Sequence, residues 1–280
     1  MKSIRFLLVA SLAFFLPSVC LIAQNDDFSA LMSVGIDKKI ASGLSAEFVA
    51  EYPIRQDQKQ WSLSGNLSYR LYRNKAKTFD IKADAGLKFS RIYKPEEKIM
   101  KDSVFSWDEN LGQDVFRGQT FNVNDSYDYS RFKAFASVSL SYELGRFKFA
   151  LRERYQFTWN DSVSIVSHRW RYDKSSRQIS ERPDKAETKW KATDNRRHVL
   201  RSRLQIGYDI PKCKVDPYAS AELFNDLKNG FCIQKTRFTA GVECKIRKVH
   251  VLKLYYYYQH EPDDEEPGGH VAGLSYCYNF

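Results

Sequence analysis

The sequence predicts an all-β fold: a transmembrane antiparallel β-barrel of about 10–12 strands with short periplasmic turns and long extracellular loops. Three observations predict this fold. The chain starts with a signal-like segment, it alternates between apolar and polar residues over most of its length, and it reaches Phe280 on an alternating strand. Strands that cross lipid must close into a barrel, because an open edge would leave backbone N–H and C=O groups without partners.

The N-terminal segment, residues 1–23, has the pattern of a secretory signal peptide. Two basic residues precede a mostly apolar run, as in segments that are removed from the mature protein. A membrane anchor and a lipid attachment at Cys20 are the alternatives, which Pro17 and the residues just before Cys20 disfavour. We therefore expect residues 1–23 to be a signal peptide and residues 24–280 to form a single outer-membrane β-barrel domain.

Period-2 alternation, the pattern of a strand with one apolar face, recurs along the mature chain. The segments that show it are 28–36, 44–52, 61–71, 79–89, 131–144, 147–157, 200–210, 215–225, 235–246, 252–258 and 270–280. In the third segment, the residues expected on the outer face are Trp61, Leu63, Leu67, Tyr69 and Leu71. These segments number eleven, but bacterial single-chain barrels have even numbers of strands. We therefore expect one miscount, and a true number of ten or twelve.

The connections between these segments alternate between short and long. The short ones are 73–76, 145–146, 211–214 and 247–248, and the long ones are 93–130, 160–197 and 261–269. Outer-membrane barrels have short turns on the periplasmic side and long loops outside. We therefore expect the long connections to lie on the cell surface.

The polar parity of the strands carries many charges, which fill the interior if the apolar parity meets lipid. The residues expected to form a charged network there are Arg152, Arg154, Arg201, Arg203, Glu222, Lys235, Arg237 and Glu243. One interpretation is a basic constriction that selects anionic solutes. The favoured one is structural, with basic side chains approaching Glu222 or Glu243 across neighbouring strands and filling a narrow barrel. Glu153 lies on the apolar parity, for which we expect a β-bulge or an interfacial position.

Four stretches of the chain carry a family resemblance. They are GRFKFALRERYQFTW (145–159), LRSRLQIGYDIPKCKVDPYASAELFN (200–225), KTRFTAGVECKI (235–246) and the tyrosine run 255–258. The mature chain resembles domain-of-unknown-function family 2490, a group of predicted outer-membrane barrels. The resemblance implies a barrel in the outer membrane, and it implies no activity, cofactor or catalytic residue.

The residues that usually carry chemistry form no recognisable pattern. The histidines show no metal-ligand spacing, and no serine pairs with a histidine in a known motif. We therefore predict no enzyme activity, no metal and no cofactor. The acidic run 261–266 could hold a divalent cation weakly, but a solvated tip is favoured. The cysteines of the mature chain fit no zinc motif, and free thiols are favoured, with one disulfide left open, at Cys213, Cys232, Cys244 and Cys277.

The expected partners follow from the predicted location in the bacterial outer membrane. Tyr276, Tyr278 and Phe280 form the apolar set of the closing strand, which we expect the barrel-assembly machinery to recognise. The apolar wall would contact outer-membrane lipid, and the basic connection 161–197 would meet lipopolysaccharide phosphates or remain an ordinary solvated loop. The net charge of +10 is scattered over the chain and does not indicate nucleic-acid binding. The oligomeric state stays open.

Three functional hypotheses remain. The favoured one is a non-enzymatic barrel, either a structural and interaction protein or a narrow, porin-like solute pore with a charged lumen. The second is an outer-membrane enzyme acting on lipid or surface polysaccharide, and the third is a secreted soluble β-barrel carrier.

Overall fold

The computed structural model describes residues 28–55, 59–171, 183, 185–191, 196–228, 230–247, 249–260 and 269–280; within it, only the backbone is described for 102–107, 114–119, 190 and 191. The expected signal peptide, the acidic run 261–266 and much of the basic connection 161–197 therefore fall outside the described residues. Within the described part of the chain, no helix is long and apolar enough to cross a membrane.

The described residues form strands joined by turns and irregular segments. In chain order these are β1 Phe28–Ala41, β2 Leu44–Ile54, β3 Lys59–Arg73, β4 Phe79–Lys94, β5 Glu97–Asp108, β6 Gln113–Asn124, β7 Tyr127–Leu144, β8 Phe147–Asn160, β9 Val163–Arg171, β10 Lys185–Lys191, β11 Arg197–Tyr208, β12 Val215–Asp226, β13 Cys232–Ile246, β14 His250–His260 and β15 Gly269–Asn279. They divide into two compact units, one made of the described residues up to Arg91 with 131–159 and 196–280, and the other of 92–130 with the described part of 160–195.

Eleven of these strands close into a barrel, in the order β1, β15, β14, β13, β12, β11, β8, β7, β4, β3, β2. They correspond one for one to the eleven alternating segments of the sequence, so the predicted barrel is confirmed. The expectation of an even number is wrong. Neighbouring strands of an odd-numbered barrel cannot all run in opposite directions, and here β1 and β15 are parallel, with Phe28 level with His270 and Ile36 level with Tyr278.

The other four strands form a separate antiparallel sheet in the order β10, β9, β6, β5. They come from the two long connections 93–130 and 160–197, which the sequence marked only as polar loops. The pairing of β6 with β9, from Thr120 opposite Arg171 to Asn124 opposite Ser167, joins the first connection to the second. Long connections without apolar alternation can thus still be ordered by pairing with each other.

The barrel strands expose their apolar side chains and bury their polar ones. On β3, Leu67 is 55% exposed on the outer face, whereas Ser62 of the opposite parity is buried. On β7, Arg131 is only 1% exposed. This distribution is the reverse of a soluble protein and agrees with the alternation of a membrane barrel.

Glu153 of β8, for which a β-bulge or an interfacial position was expected, lies on the outer face, and its pairing with β11 shows no bulge. The register between β8 and β11 runs unbroken past the pair of Glu153 and Ser202. The Ser202 hydroxyl donates a hydrogen bond of 2.7 Å to the Glu153 carboxylate. A cross-strand hydrogen bond from Ser202 on the same face therefore satisfies the Glu153 carboxylate, without a bulge that would turn the side chain inward.

Aromatic side chains form a row near one end of the barrel on four neighbouring strands. Ring centroids lie 5.5 Å apart for Trp61 and Phe89, 5.1 Å for Phe89 and Phe132, and 5.2 Å for Phe132 and Trp159. These four residues belong to the outward parity of β3, β4, β7 and β8. They form a continuous aromatic girdle across four neighbouring strands.

A second girdle lies at the end with the short turns. The rings of Phe147 and Tyr208 lie 5.1 Å apart, and those of Tyr278 and Phe280 lie 5.6 Å apart. On β8, twelve residue steps separate Phe147 from Trp159 of the first girdle. At ~3.3 Å per residue and a tilt of ~40°, the girdles lie ~30 Å apart along the barrel axis, which is about the thickness of the hydrocarbon core.

Candidate functional site in the barrel interior

The interior residues of four neighbouring strands, β8, β11, β12 and β13, form two rows set by the strand register. The first row is Arg152, Arg203, Glu222 and Arg237, and the second is Arg154, Arg201, Phe224 and Lys235. Six basic side chains therefore surround one carboxylate. Like charges directly opposite each other on neighbouring strands are unfavourable, so the arrangement needs other compensation.

Glu222 is the centre of the network. Its side chain is 5% exposed. The carboxylate oxygens of Glu222 lie 2.9 Å from a guanidinium nitrogen of Arg152, 3.2 Å from one of Arg201 and 3.9 Å from one of Arg237. Charge-assisted contacts of this kind are roughly twice as strong as neutral hydrogen bonds. One buried carboxylate thus holds three guanidinium groups from three different strands.

Aromatic rings provide a second kind of compensation. The ring of Phe224, 2% exposed, has Arg201 and Lys235 each 4.5 Å from its centroid and Arg237 at 5.2 Å. The guanidinium of Arg154 lies 4.3 Å from the centroid of Phe135. Desolvated cation–π contacts contribute up to about 2 kcal/mol each, so these rings replace missing carboxylates.

Side-chain amides accept hydrogen bonds from three of the arginines. Arg201 donates to the Gln156 side-chain oxygen at 3.0 Å, and Arg237 donates to that of Gln259 at 3.1 Å. Arg203 donates to Gln205. Neutral acceptors satisfy N–H groups without adding negative charge, so the network keeps an excess of positive charge.

Glu243 forms a separate ion-pair cluster. Its carboxylate lies 2.9 Å from the ammonium of Lys245 and 3.1 Å from that of Lys253. The structure therefore brings Arg152, Arg201 and Arg237 to Glu222 and places Glu243 with the two lysines.

Three aromatic side chains pack over glycines on the inner wall. A Cβ on Gly86 would lie 2.6 Å from the ring of Phe135, and one on Gly241 would lie 2.9 Å from that of Tyr218. A Cβ on Gly273 would overlap the ring of Tyr255. Glycine is required at these positions because each ring lies directly against the backbone.

A polar cavity of about 430 Å³ lies within the barrel. Its described lining includes eight basic and four acidic side chains, which leaves a net charge of +4; the basic ones are Lys88, Lys133, Arg152, Arg154, Arg201, Arg203, Arg237 and Lys253, and the acidic ones Glu47, Glu51, Glu222 and Glu243. Pockets of 300–1,000 Å³ are the usual size for small-molecule sites. The barrel interior thus contains a basic cavity among the described residues.

The histidines with described contacts on the barrel wall pair with tyrosines. His198 contacts the Tyr155 hydroxyl at 2.7 Å, and His250 contacts the Tyr276 hydroxyl at 2.8 Å. His270 contacts the hydroxyl of Tyr256. Such pairs at the ends of strands are typical of interfacial polar residues, and no catalytic triad is assembled by these contacts.

The structure also describes the remaining residues considered in the sequence: the possible metal ligands, the cysteines and the closing strand. The described residues contain no group of three or more side chains that could hold a metal ion. Cys213, Cys232, Cys244 and Cys277 are free thiols. On the closing strand, the Phe280 N–H donates to the Asp37 carbonyl at 3.0 Å, so this residue pairs with β1 across the parallel seam.

The fold and its interior define an outer-membrane-type β-barrel, apolar outside and charged inside. The chain belongs to the family described as "Protein of unknown function (DUF2490)", which matches residues 32–268; the family resemblance in the sequence is confirmed. The β domain of the Bordetella autotransporter Brka, known from a crystal structure, is similar with 14% identity and a TM-score of 0.45, covering 85% of this chain and 82% of that chain. No curated protein matches the chain.

The sequence did not lead us to the aromatic residues of the network. Phe135 and Phe224 lie on the inward parity of β7 and β12, where a large apolar side chain departs from the polar pattern. An aromatic residue at an inward position between arginines of adjacent strands is the signal that identifies this type of site.

Proposed function

We propose that this protein is a non-catalytic β-barrel of the bacterial outer membrane, with a side-chain-filled interior that does not conduct ions. The observation that supports it most directly is the pair of aromatic girdles about 30 Å apart, which border an exposed apolar wall. Tyr, Trp and Phe at two such levels are typical of the two membrane–water interfaces. Outer-membrane lipid is then the partner of the wall.

The same proposal assigns the remaining partners. The barrel-assembly machinery would act on the closing strand with Tyr276, Tyr278 and Phe280, and lipopolysaccharide would meet basic residues of the connection 160–197. The described part of that connection carries basic residues such as Lys185 and Lys189 on β10. The long connections would face the medium and the 145–146 turn the periplasm.

The filled interior supports a closed barrel over a pore. Rings over Gly86, Gly241 and Gly273 occupy space next to the wall, and three arginines converge on Glu222. Side chains can fill the interior of barrels with about eight strands, whereas porins with 16–18 strands leave an aqueous channel, and this barrel of eleven strands is nearer in size to the first group. We therefore expect a stable fold without single-channel currents.

Fractionation and conductance test this function together. In a Gram-negative host, the mature chain should be recovered from the outer-membrane fraction and should migrate faster on electrophoresis without heating than after boiling. The purified barrel should give no current steps in a planar bilayer. Recovery as a soluble periplasmic protein would reject the membrane location, and anion-selective steps would replace the closed barrel with a pore.

Protease treatment of intact cells tests the orientation. Added protease should cut within 93–130 or 160–197 and leave the 145–146 turn intact. Cleavage that requires prior opening of the outer membrane would reverse the assignment.

A further inference from the structure

The cavity in the barrel has more positive charge than its carboxylates can balance. Of its four acidic side chains, Glu222 is engaged by three arginines. Glu51 pairs with Lys88, and Glu243 contacts Lys245 and Lys253. With eight basic and four acidic side chains, the lining carries more positive than negative charge.

Arg154 and Arg203 are two arginines of this lining that form no ion pair within 4.0 Å among the described residues. Among the described residues, no carboxylate forms an ion pair with either of them, and the contacts of these two arginines are the ring of Phe135 and the amide of Gln205. The Nε atoms of Arg152 and Arg154 are buried and have no hydrogen-bond partner. A buried donor without a partner is unfavourable, and an oxyanion within hydrogen-bond distance of these Nε atoms would supply the missing acceptor.

The position of Arg154 over the ring of Phe135, 4.3 Å from its centroid, also suits an anion. A guanidinium that stacks its face on an aromatic ring keeps its edge, with the N–H donors, free for a planar or tetrahedral oxyanion. Phe135 is held in place because its ring lies against Gly86. The donors are therefore positioned before any ligand arrives, which reduces the entropy lost on binding.

Arg152 and Arg203 are directly opposite each other on β8 and β11, as are Arg154 and Arg201 on the same two strands. An oxyanion between the rows would separate these like charges. A single guanidinium binds phosphate or carboxylate through two parallel N–H···O hydrogen bonds. The cavity of about 430 Å³ limits the ligand to a small solute.

We propose that the barrel interior binds a small solute with a phosphate or carboxylate group, through Arg154 and Arg203, with Arg152 as a third donor. The site deepens the proposed function and rests on its closed barrel: the anion is a bound ligand of the interior and not a permeant ion.

Calorimetric titration of the purified full-length mature barrel in an uncharged maltoside detergent tests the site. Inorganic phosphate and acetate are the probes, each at constant ionic strength, with chloride as the reference anion. We expect saturable binding of phosphate, acetate or both, and the stronger probe identifies the preferred oxyanion. Arg154→Gln and Arg203→Gln should each weaken that binding at least tenfold.

Arg146→Gln is the matched control, since it removes one positive charge from the exposed 145–146 turn and should leave the affinity unchanged. Equal loss in Arg146→Gln and Arg154→Gln, or binding of chloride as tight as that of phosphate, would overturn the site and leave only a general charge effect. Heat-dependent migration of each variant reports the fold separately. A folded outer-membrane barrel without oxyanion binding would reject this inference alone, whereas a soluble chain would reject the proposed function.

Discussion

The two faces of the barrel wall are made by the same strands but differ in composition: the outer face is apolar and exposed, and the inner face is polar and largely buried. On β8, Leu151 and Tyr155 are exposed on the outside, while Gln156 and Thr158 are buried inside. The outer face depends on its surroundings for stability, because exposed apolar area is favourable only next to lipid. The inner face depends on mutual pairing, because its charges are out of water. The difference predicts which substitutions are sensitive to the membrane and which to the network.

The largest effect should come from the centre of the inner face. Glu222→Gln leaves Arg152, Arg201 and Arg237 without their shared carboxylate, and removing one partner of a buried charge network costs roughly 3–5 kcal/mol. Urea unfolding in lipid vesicles measures the loss. Glu243→Gln is the control, because its partners Lys245 and Lys253 are about half exposed and such pairs contribute about 0–1 kcal/mol. Similar losses for both would mean that water fills the interior.

The outer face is tested by one substitution at two sites of similar exposure. Leu67 on the barrel wall is 55% exposed and Leu111 in the β5–β6 turn is 60% exposed. Leu67→Arg should destabilise the barrel in vesicles by about 2–4 kcal/mol, the cost of a basic residue at the bilayer midplane. Leu111→Arg should be close to neutral. A neutral Leu67→Arg would contradict the membrane-facing wall.

The packing of the inner face has a smaller expected effect. Gly273→Ala places a Cβ against the ring of Tyr255, and overpacking of this kind costs about 1–3 kcal/mol. Gly207→Ala is the matched control, because the nearest atom to its Cβ would lie at 3.7 Å, an ordinary contact. Thermal unfolding in detergent should rank Gly273→Ala below the parent and Gly207→Ala level with it or above. The reverse order would show that Tyr255 moves aside freely.

The smallest effect on the folded state, but a clear one on assembly, is expected at the closing strand. Phe280→Ser keeps the backbone hydrogen bond to Asp37 and removes only the outward ring, which contacts Tyr278. We expect a severalfold lower yield of assembled barrel in the outer membrane, while Asn279→Ser on the inward parity stays near the parent level. Equal yields would exclude a role for the terminal ring in recognition.

Much of the barrel could be predicted because lipid imposes one rule on every strand. The alternation that places Leu67 outside and Ser68 inside is local, so it is readable without knowing the partners of a strand. The closure between β1 and β15 was not readable, because strand number is a property of the whole sheet. The sequence showed eleven alternating segments, which is the number of barrel strands, and the even-number rule led to the wrong expectation of ten or twelve.

The second sheet and part of the network escaped prediction for a different reason. The β5 strand begins Glu97, Lys98, Ile99 and Met100, with no apolar parity, so only its pairing with β6 reveals it. In the network, parity grouped the arginines with Glu222, but it could not show that Phe224 and Phe135 would take the place of absent carboxylates. That choice depends on the three-dimensional approach of side chains from different strands.

The parallel pairing of β1 and β15 determines at which rim of the barrel each end of the described chain lies. Since Phe28 is level with His270 and the closing strand ends beside Asp37, residue 28 and residue 280 emerge at opposite rims. In a barrel with an even number of strands both would return to the same rim. In the proposed orientation, a reporter fused ahead of residue 28 would be displayed to the medium and one fused after residue 280 would stay in the periplasm, so assembly must carry the first residues of β1 across the membrane.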